Sequence, residues 1–133
     1  MSWIYNGEEL TSPPENSFGF IYQITNLLTD QKYIGRKYFF APKYRQVKGK
    51  KKKYMAESDW KEYWGSNKRL LEDIEKHGKE NFRREILHVA DSRGMTNYME
   101  AKFQFLLEVL ESDAYYNGII AVKIGSRSVK MKK

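Results

Sequence analysis

The 133-residue chain contains no cysteine. Disulfides and zinc–thiolate centres are therefore excluded. Histidine occurs only twice, as His77 and His88. His77 stands at the edge of an apolar helical stripe, next to Gly78, and reads as a capping or packing residue. His88 falls in a strand-like run, where it is expected to face away from Leu87. No apolar stretch approaches the roughly 18 residues of a membrane-spanning helix. The N-terminal segment has neither a basic start nor a long apolar core, so no signal peptide is expected. These absences suit a cytoplasmic protein. Proline is limited to three positions. Two of them, Pro13 and Pro14, interrupt any regular element in a polar lead-in over residues 1–17.

The most informative absence is one of sign. Between Arg36 and Tyr54 there is no carboxylate, while Arg36, Lys37, Lys43, Arg45, Lys48, Lys50, Lys51, Lys52 and Lys53 are all cationic. Tyr38, Phe39, Phe40, Tyr44 and Tyr54 interleave with them. A basic tail follows over residues 123–133. The net charge is +7, and its clustering points to a polyanion, because lysines that neutralise phosphates release condensed counterions. A solvated basic loop is the plainer reading of the same run. An amphipathic membrane helix fits less well, since the run lacks helical periodicity.

With 41% hydrophobic and 15% aromatic residues, the chain can build one modest core, and its length suits one domain. Residues 19–37 read as a β-hairpin with turn-type residues at Asn26 and Thr29-Asp30-Gln31, although Leu27-Leu28 are unusual for a turn. Residues 40–56, with Pro42, Gly49 and the lysine run, read as a long loop of the kind that serves function or a partner. A short helix is expected over residues 57–64, stopped at Gly65. A second, capped by Ser66, would bury Leu70, Leu71 and Ile74 and close at Gly78. Residues 81–89 read as a third strand. A longer helix over 97–111, capped by Thr96 or Asn97, shows Met99, Phe103, Leu106, Leu107 and Leu110 as one stripe. Glu100 stands beside that stripe, on the side of Gln104 and Leu107.

Two tyrosine motifs, Phe20-Ile21-Tyr22 and Tyr33-Ile34-Gly35, occupy the hairpin strands, so Tyr22 and Tyr33 can face one site. Strand tyrosines more often only pack. The order of later residues adds weight. Glu100 lies in Tyr98-Met99-Glu100-Ala101-Lys102, and Asn117 lies in Tyr115-Tyr116-Asn117-Gly118. In this order the chain resembles the GIY-YIG nuclease superfamily over about residues 19–121, with Phe20 inserted between Gly19 and Ile21-Tyr22. The Tyr63-Trp64-Gly65-Ser66 and Lys76-His77-Gly78 segments are similar to freestanding phage members with homing-type activity, which would act in the host cytoplasm.

The resemblance implies an α/β (α+β) domain with a small three-stranded antiparallel sheet flanked by helices. It implies a metal-dependent endonuclease acting on double-stranded DNA. Glu100 would ligate Mg²⁺ or another divalent cation. Tyr22 would accept the proton of the attacking water, with help from nearby positive charge. Tyr33 would orient water or phosphate, and Asn117 would support the site. Arg45 takes the phosphate-clamping arginine position by order, with Lys43 and Arg36 as alternatives. Arg36, Lys37, Lys43, Lys48, Lys50, Lys51, Lys52 and Lys53 would contact DNA. A noncatalytic nucleic-acid-binding protein on the same fold, or an RNA-associated basic protein, remains open at this point.

Overall fold

The computed structural model describes residues 2–121 and 123–129. The segment expected as a polar lead-in carries two strands, β1 (Trp3–Tyr5) and β2 (Glu8–Glu9). Asn6 and Gly7 join them, both at positive φ (52° and 80°). Asn-Gly suits such a tight turn because neither residue resists that backbone conformation. Trp3 explains why the segment folds. Its ring is fully buried, and its indole N–H donates to the Trp60 carbonyl at 2.7 Å.

The tyrosine hairpin forms as β3 (Gly19–Asn26) and β4 (Lys32–Tyr38), antiparallel, with Tyr22 opposite Gly35 and Ile24 opposite Tyr33. The Asn26 side chain accepts from the Leu28 and Thr29 N–H groups, closing the turn. Leu27 and Leu28 are simply exposed at its tip.

Residues 40–56 are not an irregular loop. They form a separate antiparallel ribbon of β5 (Phe40–Val47) and β6 (Lys50–Glu57). Lys48 and Gly49 make its turn, again at positive φ (51° and 76°). The lysines hide this signal, because strand preference reflects a half-buried pleated surface that a solvated ribbon does not have.

The expected third strand is β7 (Phe82–Ala90). The sheet has five strands rather than three, in the order β2-β1-β7-β3-β4, and β1 pairs with β7 in parallel. A bulge shifts the β3–β7 register between Ile21 and Tyr22. It breaks the alternation of β7, so Leu87, packed on the Ile21–Ile34–Val109 cluster, and His88, beside the Phe103 ring, lie on the same side instead of facing opposite ways.

The expected helix over 57–64 shrinks to a single 3-10 turn at Trp60–Glu62, because Glu57 completes β6. Helix α1 (Lys68–His77) is capped by Asn67, whose side chain accepts from the Leu70 N–H, and not by Ser66. It ends at Gly78, buries Leu70 and Ile74, and leaves Leu71 exposed. Helix α2 (Arg93–Leu106) starts earlier than expected, because Ser92 caps it by accepting from Met95 N–H. It also stops earlier, and Glu108 at φ 55° turns the chain away. Leu106, Leu107 and Leu110 are therefore exposed instead of completing a stripe. The buried face of α2 is Thr96, Glu100, Ala101 and Gln104. A four-residue helix, α3 (Ser126–Val129), follows. Lys130, Lys132 and Lys133 of the basic tail lie outside the described residues.

Two cores lie on opposite faces of the sheet. One gathers Trp3, Phe20, Tyr22, Ile24, Trp60 and residues of α1. The other packs Ile21, Ile34 and Val109 against Met99 and Phe103 of α2. Among the described residues, no helix is long and apolar enough to cross a membrane.

Candidate active site

Edge strand β4 organises the site. Tyr22 and Tyr33 are diagonal neighbours on one face of the hairpin, with ring centroids 6.1 Å apart. Gly35 makes that arrangement possible. A Cβ there would lie 2.5 Å from the Tyr22 hydroxyl and 2.8 Å from the Tyr33 ring. The bulge beside Tyr22 is the kind of irregularity that re-aims a side chain. Tyr63 closes the pocket from the far side, its ring 6.0 Å from Tyr22, and hydrogen-bonds that phenol. Arg84 fixes the Tyr63 segment. Its guanidinium lies between the Trp3 and Trp64 rings (4.6 and 4.2 Å) and donates to the Lys61 and Tyr63 carbonyls. Burial there lowers its pKa to about 10.

The outer edge of β4 would leave alternate backbone groups unpaired, and the 114–116 backbone and then side chains occupy them in series. Lys32 N–H donates to the Ala114 carbonyl, and the Lys32 carbonyl accepts from Tyr116 N–H. At Ile34 the Asn117 side chain does both jobs, accepting the N–H at 3.0 Å and donating to the carbonyl at 2.8 Å. Gln104 donates to the same carbonyl at 3.0 Å. At Arg36 the backbone N–H reaches the Glu100 carboxylate. Glu100 and Asn117, distant in sequence, thus serve consecutive rungs of one strand.

Glu100 is 8% exposed and paired with the Arg36 guanidinium at 3.2 Å. Desolvation raises its pKa, and Arg36 opposes that rise without cancelling it. Arg36 also donates to the Tyr38 hydroxyl, which donates to Asn97 on α2. Burial holds the Tyr22 phenol well above its ordinary value, reinforced by Tyr63, Tyr33 and Glu100. The Tyr33 phenol is also raised by burial, but a hydrogen bond from Ser66 and the charge of Arg36 pull the other way.

The structure thus groups Arg36, Glu100 and Asn117 along the outer edge and α2 side of β4 and sets Tyr22 and Tyr33 on the other face of the same hairpin, within electrostatic reach of Glu100. It does not bring Arg45 to them. Arg45 is exposed on β5, opposite Lys52, with its guanidinium 5.5 Å from the Tyr54 ring centroid. Lys43 is exposed on the same ribbon, opposite Tyr54. Lys37 stays near the site, over the Tyr63 ring at 4.2 Å and paired with Asp59 at 2.6 Å. The order of the motifs ranked Arg36 last among the arginine candidates, and nothing in it placed Tyr63, Ser66 or Gln104 in the site. Strand parity could have found Arg36, since it shares with Ile34 the side of β4 that meets α2.

Among the described residues, no three His, Cys, Asp or Glu side chains cluster as a metal cage. The site instead offers a single anchored carboxylate, a donor set that suits a hard cation retaining most of its water shell.

No curated protein and no solved structure matches the chain. Residues 3–120 match the family model described as "Putative endonuclease segE, GIY-YIG domain". The match spans both tyrosine strands, the Glu100 helix and Asn117, and the chain belongs to the GIY-YIG nuclease family.

Proposed function

We propose that the protein is a divalent-metal-dependent endonuclease that hydrolyses phosphodiester bonds in duplex DNA. The observation that carries this reading is the placement around β4 of the Glu100–Arg36 pair on its α2 side and the two motif phenols on its other face, with Tyr33 within electrostatic reach of both charges. Glu100 would hold Mg²⁺ or a similar cation, anchored by the Arg36 backbone and guanidinium. The cation, when bound, supplies charge neutralisation at the phosphate and at the leaving oxygen.

Arg36 takes the phosphate-clamping role in place of Arg45. Its side chain is 38% exposed, so its planar fork can turn from Glu100 to a phosphate in the bidentate geometry that lysine lacks. Tyr33 is the phenol we assign to the attacking water. It is less buried than Tyr22, and Ser66 and Arg36 favour its ionised form. Tyr22 keeps its proton, acts as a hydroxyl donor and forms the wall of the pocket. Asn117 positions β4. Lys37 and the ribbon cations contact the DNA backbone.

A noncatalytic DNA-binding role has one observation in its favour, namely that Arg36 already neutralises Glu100. Nicking of supercoiled plasmid separates the two readings. Cleavage with Mg²⁺, none with EDTA, and a loss of at least ~10²-fold in Glu100→Gln would match the loss of an electrostatic catalytic group. Cleavage that survives EDTA, or a Glu100→Gln variant as active as wild type, would sink the assignment.

A further inference from the structure

The β5–β6 ribbon carries six cations on its strands, and its register sorts them. Cross-strand partners share a face, and successive pairs alternate between faces. The pairs Lys43–Tyr54, Arg45–Lys52 and Val47–Lys50 lie on one face, above Ala41–Ala56 at the root. The pairs Pro42–Met55, Tyr44–Lys53 and Gln46–Lys51 lie on the other, above Phe40–Glu57. The first face holds four cations and no carboxylate. The second holds two cations, the exposed apolar side chains of Tyr44 and Met55, and a carboxylate at its root.

At its root the ribbon borders the candidate active site with both faces, and the cationic face brings Lys43 into a cleft there. Ala41 and Lys43 open into a cleft of about 440 Å³ shared with Lys37, with Asp59, which Lys37 already neutralises, and with Glu57, which accepts from the Trp60 indole. Lys37 in turn lines a second cleft, of about 390 Å³, with Arg36 and Arg93. Positive charge therefore runs from the partner of Glu100 to the tip of the ribbon. Tyr54 holds Arg45 in place along this path. Residues on one face of a strand repeat every ~6.8 Å. That is about two phosphate steps along one strand of B-form DNA, at ~3.4 Å each.

We infer that the Lys43–Arg45–Lys50–Lys52 face of the ribbon is the surface laid along the backbone of duplex DNA, and that the Lys51–Lys53 face points away from it. The inference rests on the reading of the protein as a duplex-directed nuclease. Its test needs no cleavage. Two double variants, Lys50→Gln with Lys52→Gln and Lys51→Gln with Lys53→Gln, remove the same residues from the same strand and change the net charge equally. Affinity for one mixed-sequence duplex is measured in EDTA across a salt series, with circular dichroism to confirm that both variants fold. The Lys50/Lys52 variant should bind about tenfold more weakly, with the slope of log affinity against log salt flattened by about 0.9 per lost contact. The Lys51/Lys53 variant should stay within about twofold of wild type, with its slope unchanged. Equal losses, equal retention, the reverse order, or a wild type that binds no duplex would each overturn the face assignment. Plasmid cleavage is followed in parallel with Mg²⁺. A protein that binds by this face without cutting would refute the nuclease reading alone.

Discussion

Burial works against the charge on Glu100. Its pKa is raised from the ordinary 4.5 because desolvation outweighs the help from Arg36. A group raised on folding contributes its stabilisation below its unfolded value and loses it as pH rises through the folded value. Ionised Glu100 is therefore a cost to the fold at neutral pH. Glutamine imitates the protonated side chain and does not titrate. Glu100→Gln should melt at or above the wild-type temperature at pH 7, and this advantage should shrink as pH falls through the raised folded value and be gone below the ordinary carboxylate value. Thermal melts of both proteins across that range would check it. A variant less stable than wild type at pH 7, or a difference that ignores pH, would contradict the account. Gly35 shows a second constraint at this scale. Its requirement is steric rather than conformational, since the position opposite Tyr22 is filled by the tyrosine's own hydroxyl end.

At the scale of elements, β4 is held on one side by β3 and on the other by the 114–116 backbone at Lys32 and by side chains beyond it. Asn117 takes the part of a neighbouring strand for Ile34. Truncating it would leave the buried Ile34 N–H without a partner and its carbonyl with Gln104 alone, and Asn117→Ala should cost about 2 kcal/mol. Because the next rung of β4 presents Arg36 to Glu100, cleavage should fall with it. Denaturant unfolding together with a nicking assay at a temperature where the variant is folded would test both effects, and an unchanged unfolding midpoint would refute the role. The sequence made the central hairpin, α1 and β7 legible, because their apolar periodicities match their burial. Tyr22, Tyr33, Glu100 and Asn117 could be named from motif order. The rest depended on tertiary context. Asn6-Gly7 is a tight-turn dipeptide, but β1 is anchored by one tryptophan, and the ribbon, turning at Lys48-Gly49, meets the core at its root through Phe40. Periodicity found Met99 and Phe103, which pack on the core, but the fully buried positions of α2 are mostly polar and the rest of the stripe lies past the helix or at its exposed end. Arg36 and Arg45 could not be told apart without knowing that β5 leaves the main sheet.

For the whole molecule, charge and fold are separable. Residues 43–54 contain seven cations and no acid, so they account for the entire net charge of +7. The ribbon pairs only with itself. Excising residues 43–54 and joining Pro42 to Met55 through an Asn-Gly turn should leave a melting temperature within about 4 °C of wild type, equivalent to ~1 kcal/mol for a domain of this size. The same variant should lose most of its duplex affinity at moderate salt, measurable by fluorescence anisotropy. Loss of cooperative melting would show that the ribbon belongs to the core after all. The plugged edge of β4 has a further consequence, for how copies of the molecule meet in a crowded solution. An open sheet edge is a template for another chain to join. Here one edge of the sheet is closed by Asn117, Gln104 and Glu100, and the other ends in β2, two exposed glutamates long. Lysines line the ribbon. The protein thus displays strands at three borders and offers none of them for zipping into aggregates, which lets it keep a working edge strand while staying dispersed.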